Sequence, residues 1–122
     1  MGKFLHDDVL EQGPKLIKDN ANLMILCSQQ PTTRTEAVTT YALADQAMVT
    51  GDFTFADGDT SGRKLTVAAK SAIDVDVTGS GDHVALVDGT RLLAVTTCPS
   101  VSVDSSGTVD IATFDVECSD PS

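Results

Sequence analysis

Ser80, Asp82 and His83 place a hydroxyl, a carboxylate and an imidazole within one short stretch, the three groups used in nucleophilic hydrolysis. They are too close in sequence to adopt the roles of a triad, and Gly79-Ser80-Gly81 lacks the strand-to-helix elbow that presents a nucleophilic serine. Asp74 and Asp76 share one strand face, near Asp82 in the following turn. Paired carboxylates do acid–base work when burial drives their pKa values apart. Alternation with Ile73, Val75 and Val77 puts these two on the wet face, where no such shift is expected. Asp57-Gly58-Asp59-Thr60-Ser61-Gly62 matches the front of a calcium loop, with oxygen ligands at alternate positions and glycine at the sixth. The closing bidentate glutamate is replaced by Ala68, so the stretch reads as an acidic hairpin turn.

The cysteines are Cys27, Cys98 and Cys118, an odd number that suggests free thiols. Cys27 follows Leu23-Met24-Ile25-Leu26 and reads as a small core residue. Cys98 and Cys118 close two candidate strands; a disulfide between them requires those strands to pair. No histidine neighbours a cysteine and no CxxC occurs, which argues against zinc. There is no phosphate-binding loop, no dinucleotide fingerprint and no basic stripe with interleaved aromatics. The chain reads as a non-enzyme without a cofactor or resident metal.

The elements that would position these residues are mostly strands. From Gly62 to Thr97 the chain alternates: Leu65, Val67 and Ala69 against Lys64, Thr66 and Ala68, then Ile73, Val75 and Val77 against Asp74, Asp76 and Thr78. That is the period of a strand with one face on a core. His83–Val87 and Arg91–Val95 flank Asp88-Gly89, a strong hairpin signal. The middle of the chain is therefore expected to be an antiparallel meander. Val109–Cys118 is expected as one last strand, Met48–Phe55 as another, and Leu23–Ser28 as a buried strand ending before Pro31. Phe4–Asn20 carries an apolar stripe of Phe4, Leu5, Val9, Leu10, Leu16 and Ile17 and reads as a helix, interrupted at Gly13-Pro14 into two pieces or a kink. The stripe is expected to pack on its own domain. Glu36–Ala44 reads either as a helical turn or two, or as an extended arm.

The 122 residues suit one domain, with residues 1–22 as a helical segment and 23–122 as the β part of a single folding unit. The core must be aliphatic, since there is no Trp, one Tyr and four Phe. Net charge is −10, and it is segregated: residues 1–45 carry four basic and six acidic residues, residues 46–122 four basic and twelve acidic ones. An acidic β region repels phosphate backbones and anionic lipid, which disfavours nucleic acid and membrane surfaces as partners. No apolar run is long enough to span a bilayer, and the N-terminus lacks the apolar region of a signal peptide. The chain reads as made and folded in a cytoplasm.

Three stretches together resemble a known family. They are Asp8-Val9-Leu10 through Ile17-Lys18 running into Leu23–Thr33, then Ser61–Ala68, then Asp82–Asp88 followed by Arg91-Leu92-Leu93-Ala94. Their order is similar to that of small virion structural proteins of tailed bacteriophages, of the head-decoration (cement) kind. The resemblance covers most of the chain and is weakest between Ala37 and Asp57. It implies a β-sandwich virion component present in many copies. Cys98, Cys118 and the Asp57/Asp59 loop depart from the pattern.

The sequence thus leads to a mainly β fold, an antiparallel sandwich of immunoglobulin-like or jelly-roll-like type with a short N-terminal helix. The expected role is a non-enzymatic capsid decoration protein that binds and stabilises the assembled head, located in the virion after assembly in the host cytoplasm. Its expected partners are the major capsid protein or other virion proteins and further copies of itself, with a trimer favoured. The residues expected at the partner interface are Phe4, Leu5, Val9, Leu10, Thr33, Arg34, Tyr41 and Leu43. A tail, neck or fibre-attachment component is the nearest alternative. A small immunoglobulin-like carbohydrate-binding module is the alternative of another class, although Tyr41 alone offers little of the aromatic platform that sugars stack on.

Overall fold

A computed structural model describes residues 7–58 and 62–118, and the side-chain surroundings of residues 14–58 and 62–116. The fold is mainly β and antiparallel, with one α-helix. The run Leu23–Cys27 forms β1, and it is the centre of the molecule because its side chains are apolar on both sides. Met24 and Leu26 point into the main core, Ile25 and Cys27 into a second, smaller one, and all four are buried. A strand covered on both faces reads as a continuous apolar run instead of an alternating one.

Around β1 stand β2 (Ala42–Ala47), β6 (Gly79–Val87) and β7 (Leu92–Val103), in the order β2-β1-β6-β7. The second layer is built from β3 (Phe53–Asp57), β4 (Arg63–Val67) and β9 (Phe114–Cys118) in the order β3-β4-β9, with the ribbon of β5 (Lys70–Asp74) and β8 (Thr108–Ile111). The main core lies between the layers and includes Phe53, Leu65, Val67, Ile73, Val84, Leu86, Val109 and Ile111. β2 also touches the ribbon: Ala44 bridges Val75, and the Leu43 carbonyl accepts from the backbone N–H groups of Asp76 and Val77 at 2.8 and 3.1 Å. Close packing is tight where β6 crosses β1: a methyl group at Gly81 would lie 2.5 Å from Leu26 Cγ.

Helix α1 (Asp7–Asn20) runs unbroken through Pro14 and not as two pieces. Proline removes one helical donor, but Pro14, Ile17 and Ala21 are all buried, and packing of an apolar face supplies most of a helix's stability in a protein. The C-terminal end is fixed by Lys18, whose Nζ donates to the carbonyls of Phe53 at 2.6 Å and Thr50 at 3.1 Å.

Four expectations are corrected. The meander is not one: β6 and β7 form a hairpin, but β4 pairs with β3 and β9, and β5 with β8. β1, apolar on both faces, takes the place beside β6 that a meander would give to β5. The expected last strand is two, since the chain leaves the ribbon at Ala112-Thr113, where Thr113 Oγ1 donates to the Val67 carbonyl at 2.6 Å, and then enters the other sheet. The strand placed at Met48–Phe55 is instead a 3-10 turn at Thr50–Asp52 leading into β3, with the preceding strand β2 at Ala42–Ala47. Asp52 makes that turn by accepting from the Val49 N–H and from Lys70 Nζ, both at 2.9 Å. Finally, Ile73 and Val75 are buried, but Val77 is 50% exposed, because the strand has ended before it, and Ala69 lies exposed between β4 and β5.

Candidate interaction surfaces

The segment 31–41 is where several expected partner residues fall. It folds as a helical turn closed in π fashion, with the Tyr41 N–H donating to the Glu36 carbonyl at 2.8 Å. Of the two readings left open for Glu36–Ala44, the helical turn is found over Glu36–Thr40, while Ala42–Ala44 already belong to β2. Glu36 organises its start: Oε1 accepts from the backbone N–H and the hydroxyl of Thr32, both at 2.8 Å. Those bonds, the backbone one foremost, hold the Glu36 carboxyl below its ordinary pKa. The segment lies over the outer face of the four-stranded sheet. Ala37 is buried against Ile25, Cys27, Ala85 and Val87, with Val38 and Tyr41 beside it.

Thr33 is exposed and accepts the Glu36 N–H at its hydroxyl. Arg34 is half-buried and donates from Nε to the Asp88 carbonyl at 2.8 Å, tying the segment to the β6–β7 turn. Tyr41 is half-buried, its hydroxyl 3.5 Å from Glu36 Oε2. These three gather on one side of the sheet, where they brace the covering segment. Leu43 does not join them. It is 4% exposed and belongs to the main core, a correction that follows from its place on the inner side of β2. Phe4 and Leu5 lie outside the described residues; Val9 and Leu10 are in α1, with their side chains outside them.

A cleft of about 280 Å³ opens between the layers on the opposite side. Leu26 and Val84 line it from the central strands, Thr96, Cys98 and Val101 from β7, and Ile111 and Phe114 from the second layer. Its polar groups are mostly committed: the Asp110 carboxylate accepts from the Ala72 N–H at 2.8 Å, and Thr113 from its hydroxyl bonds Val67. Ala72 holds a positive φ of 55° there, so this carboxylate anchors a backbone geometry unusual for alanine. No local sequence pattern marks the cleft, because its walls come from strands far apart in the chain.

Cys98 is a free thiol, with its pKa raised by burial and by the charge of Asp82, which favours the protonated and weakly nucleophilic form. The strand pairing that a Cys98–Cys118 bridge required is absent: β7 pairs with β6, whereas β9 pairs with β4. Cys27 is also free and buried, its thiol pushed up to about 11 by that burial. His83 Nδ1 and Asp82 Oδ1 are 2.6 Å apart, but the Ser80 hydroxyl faces Ser102 Oγ at 3.5 Å. In the acidic loop Arg63 Nη1 donates to Asp57 at 2.6 Å and Gly58 bonds Gly62 through the backbone; Asp59, Thr60 and Ser61 lie outside the described residues. Asp74 and Asp76 are exposed, as their alternation implied.

Among the described residues no group of three or more His, Cys, Asp or Glu is placed to hold a metal ion, and no helix is long and apolar enough to cross a membrane. No protein-family model, curated protein or solved structure matches the chain.

Proposed function

We propose that this chain is a non-enzymatic structural component of a tailed-phage virion that binds the assembled head and stabilises it. The observation that supports the reading is the set of stretches that resemble the family, Asp8–Lys18 running into Leu23–Thr33, Ser61–Ala68, and Asp82–Asp88 followed by Arg91–Ala94, whose described residues lie in the central elements of the fold. They supply β1, β4, most of β6 and the start of β7, and Arg34 just beyond the first stretch bonds Asp88 in the third. A rigid two-layer scaffold with an acidic β region suits a part repeated over a shell. Each copy then needs only modest contacts, because symmetry multiplies them into avidity. The acidic face is turned outward and the less charged face, with Thr33, Arg34 and Tyr41, toward the major capsid protein.

The test is to band intact particles from the producing lysate on a density gradient and probe them with antibody to the purified chain, followed by immunogold imaging. The reading expects the chain in the particle band and gold over the heads. Chain that stays at the top of the gradient overturns the virion assignment, and gold on the tails alone moves it to the tail or neck.

A further inference from the structure

We infer that β7 is the strand through which two copies of this chain join, edge to edge and antiparallel, so that the four-stranded sheet of one copy continues into that of the other. Among the described residues β7 pairs on one side only, with β6. Its other edge therefore presents a row of backbone donors and acceptors, and proteins usually blunt such an edge with charge, proline or a covering element. Here the segment 92–98 is Leu-Leu-Ala-Val-Thr-Thr-Cys, with no charge and no proline, in a chain of net charge −10. The ionisable residue just before it, Arg91, is engaged by the Asp88 carboxylate through Nε at 2.8 Å and Nη2 at 2.7 Å.

The other edges differ. β9 carries Asp115 and Glu117, β3 ends on Asp57, and the two strands of the ribbon carry Lys70 and Asp74 in β5 and Asp110 in β8. The outer side of β2 is engaged at Leu43, whose carbonyl takes two N–H groups from Asp76 and Val77. β7 is thus the edge at which this acidic molecule meets its own copy without opposing like charges. A two-fold axis at Val95, the midpoint of the uncharged segment, sets Val95 against Val95 and Ala94 against Thr96 of the second copy, and the irregularity that takes Leu93 out of register with β6 bounds this pairing on the other side. Such β-branched and apolar cross-strand pairs are favourable. Leu92 and Val95 already pack, half-buried, against the smaller core, and the added strand extends that apolar surface. Pro99 ends the pairing, since it has no donor to give. An isologous pair follows from this edge more directly than the ring of three expected from the resemblance, because a ring would make β7 meet one of the carboxylate-bearing edges.

The test uses the full chain in two measurements. Sedimentation across a concentration series should show a monomer–dimer equilibrium, and Thr97→Lys, at an exposed position, should weaken the dimer at least tenfold with an unchanged far-UV spectrum. In a Cys98→Ser/Cys118→Ser background, Val95→Cys should give a disulfide-linked dimer under mild oxidation, faster than Thr97→Cys by at least tenfold, because only residue 95 opposes itself. A monomer at every concentration up to the millimolar range overturns the inference. A dimer indifferent to Thr97→Lys, or cross-linked equally from both positions, places the contact elsewhere and overturns it too.

Discussion

Asp88 sits at the one point where the covering segment, the β6–β7 hairpin and the turn between them meet. Its Oδ1 accepts from the backbone N–H groups of Thr90 at 2.8 Å and Arg91 at 2.6 Å, its Oδ2 from Arg91 Nε at 2.8 Å, and its carbonyl from Arg34. The Thr90 N–H contributes most, and with Arg91 it holds the carboxyl down from 3.8 to about 2. A carboxyl with a lower pKa folded than unfolded stabilises the fold in its ionised form. That contribution is complete above the ordinary carboxylate range and is lost as pH falls toward 2. Asp88→Asn should therefore lower the melting temperature at neutral pH and show a shallower decline than the parent between pH 4 and pH 2 when melting is followed by circular dichroism. Asp-Gly between two apolar runs announced this turn in the sequence. Its bond to Arg34, fifty-four positions away, had no local signal, and neither did the burial of Leu43, whose neighbours in the chain are the small side chains of Ala42 and Ala44.

At the scale of elements, the helix α1 and the continuous run of β1 were legible from their apolar patterns, although of the expected stripe Ile17 is buried while Leu16 is 44% exposed, and the side chains of Phe4, Leu5, Val9 and Leu10 lie outside the described residues. β2 was hidden because its inner positions include Ala44, which adds little to a hydrophobic period, although it is 1% exposed. The split between β8 and β9 had a signal that is easily passed over. Burial falls on odd positions at Val109 and Ile111, then shifts to even ones at Phe114 and Val116; a change of phase in a period-2 pattern moves side chains to the opposite face, so it marks a break. If α1 is part of the core and not a detachable arm, Ile17 carries the consequence. It is 7% exposed and packed in the main cluster. Ile17→Ala should cost about 2–5 kcal/mol in urea unfolding, with helix and strands lost in one transition. A separate early transition of the helix would show that it is held on independently.

The whole molecule combines an aliphatic two-layer core with a strongly acidic β region, twelve acidic residues against four basic ones beyond Asp45. Such a balance keeps crowded copies apart everywhere except at uncharged surfaces, and β7 is the longest of these edges. On a shell under internal pressure, each added copy contributes little alone, and the sum over many sites resists expansion. Stabilisation of the head is the central claim, and heating particles assembled with and without this chain, while following DNA release with a dye, tests it most directly. Particles lacking the chain should release DNA at a lower temperature, and adding back the purified protein should restore the higher one. The same release temperature in both preparations, with the chain shown to be bound, would contradict a stabilising role.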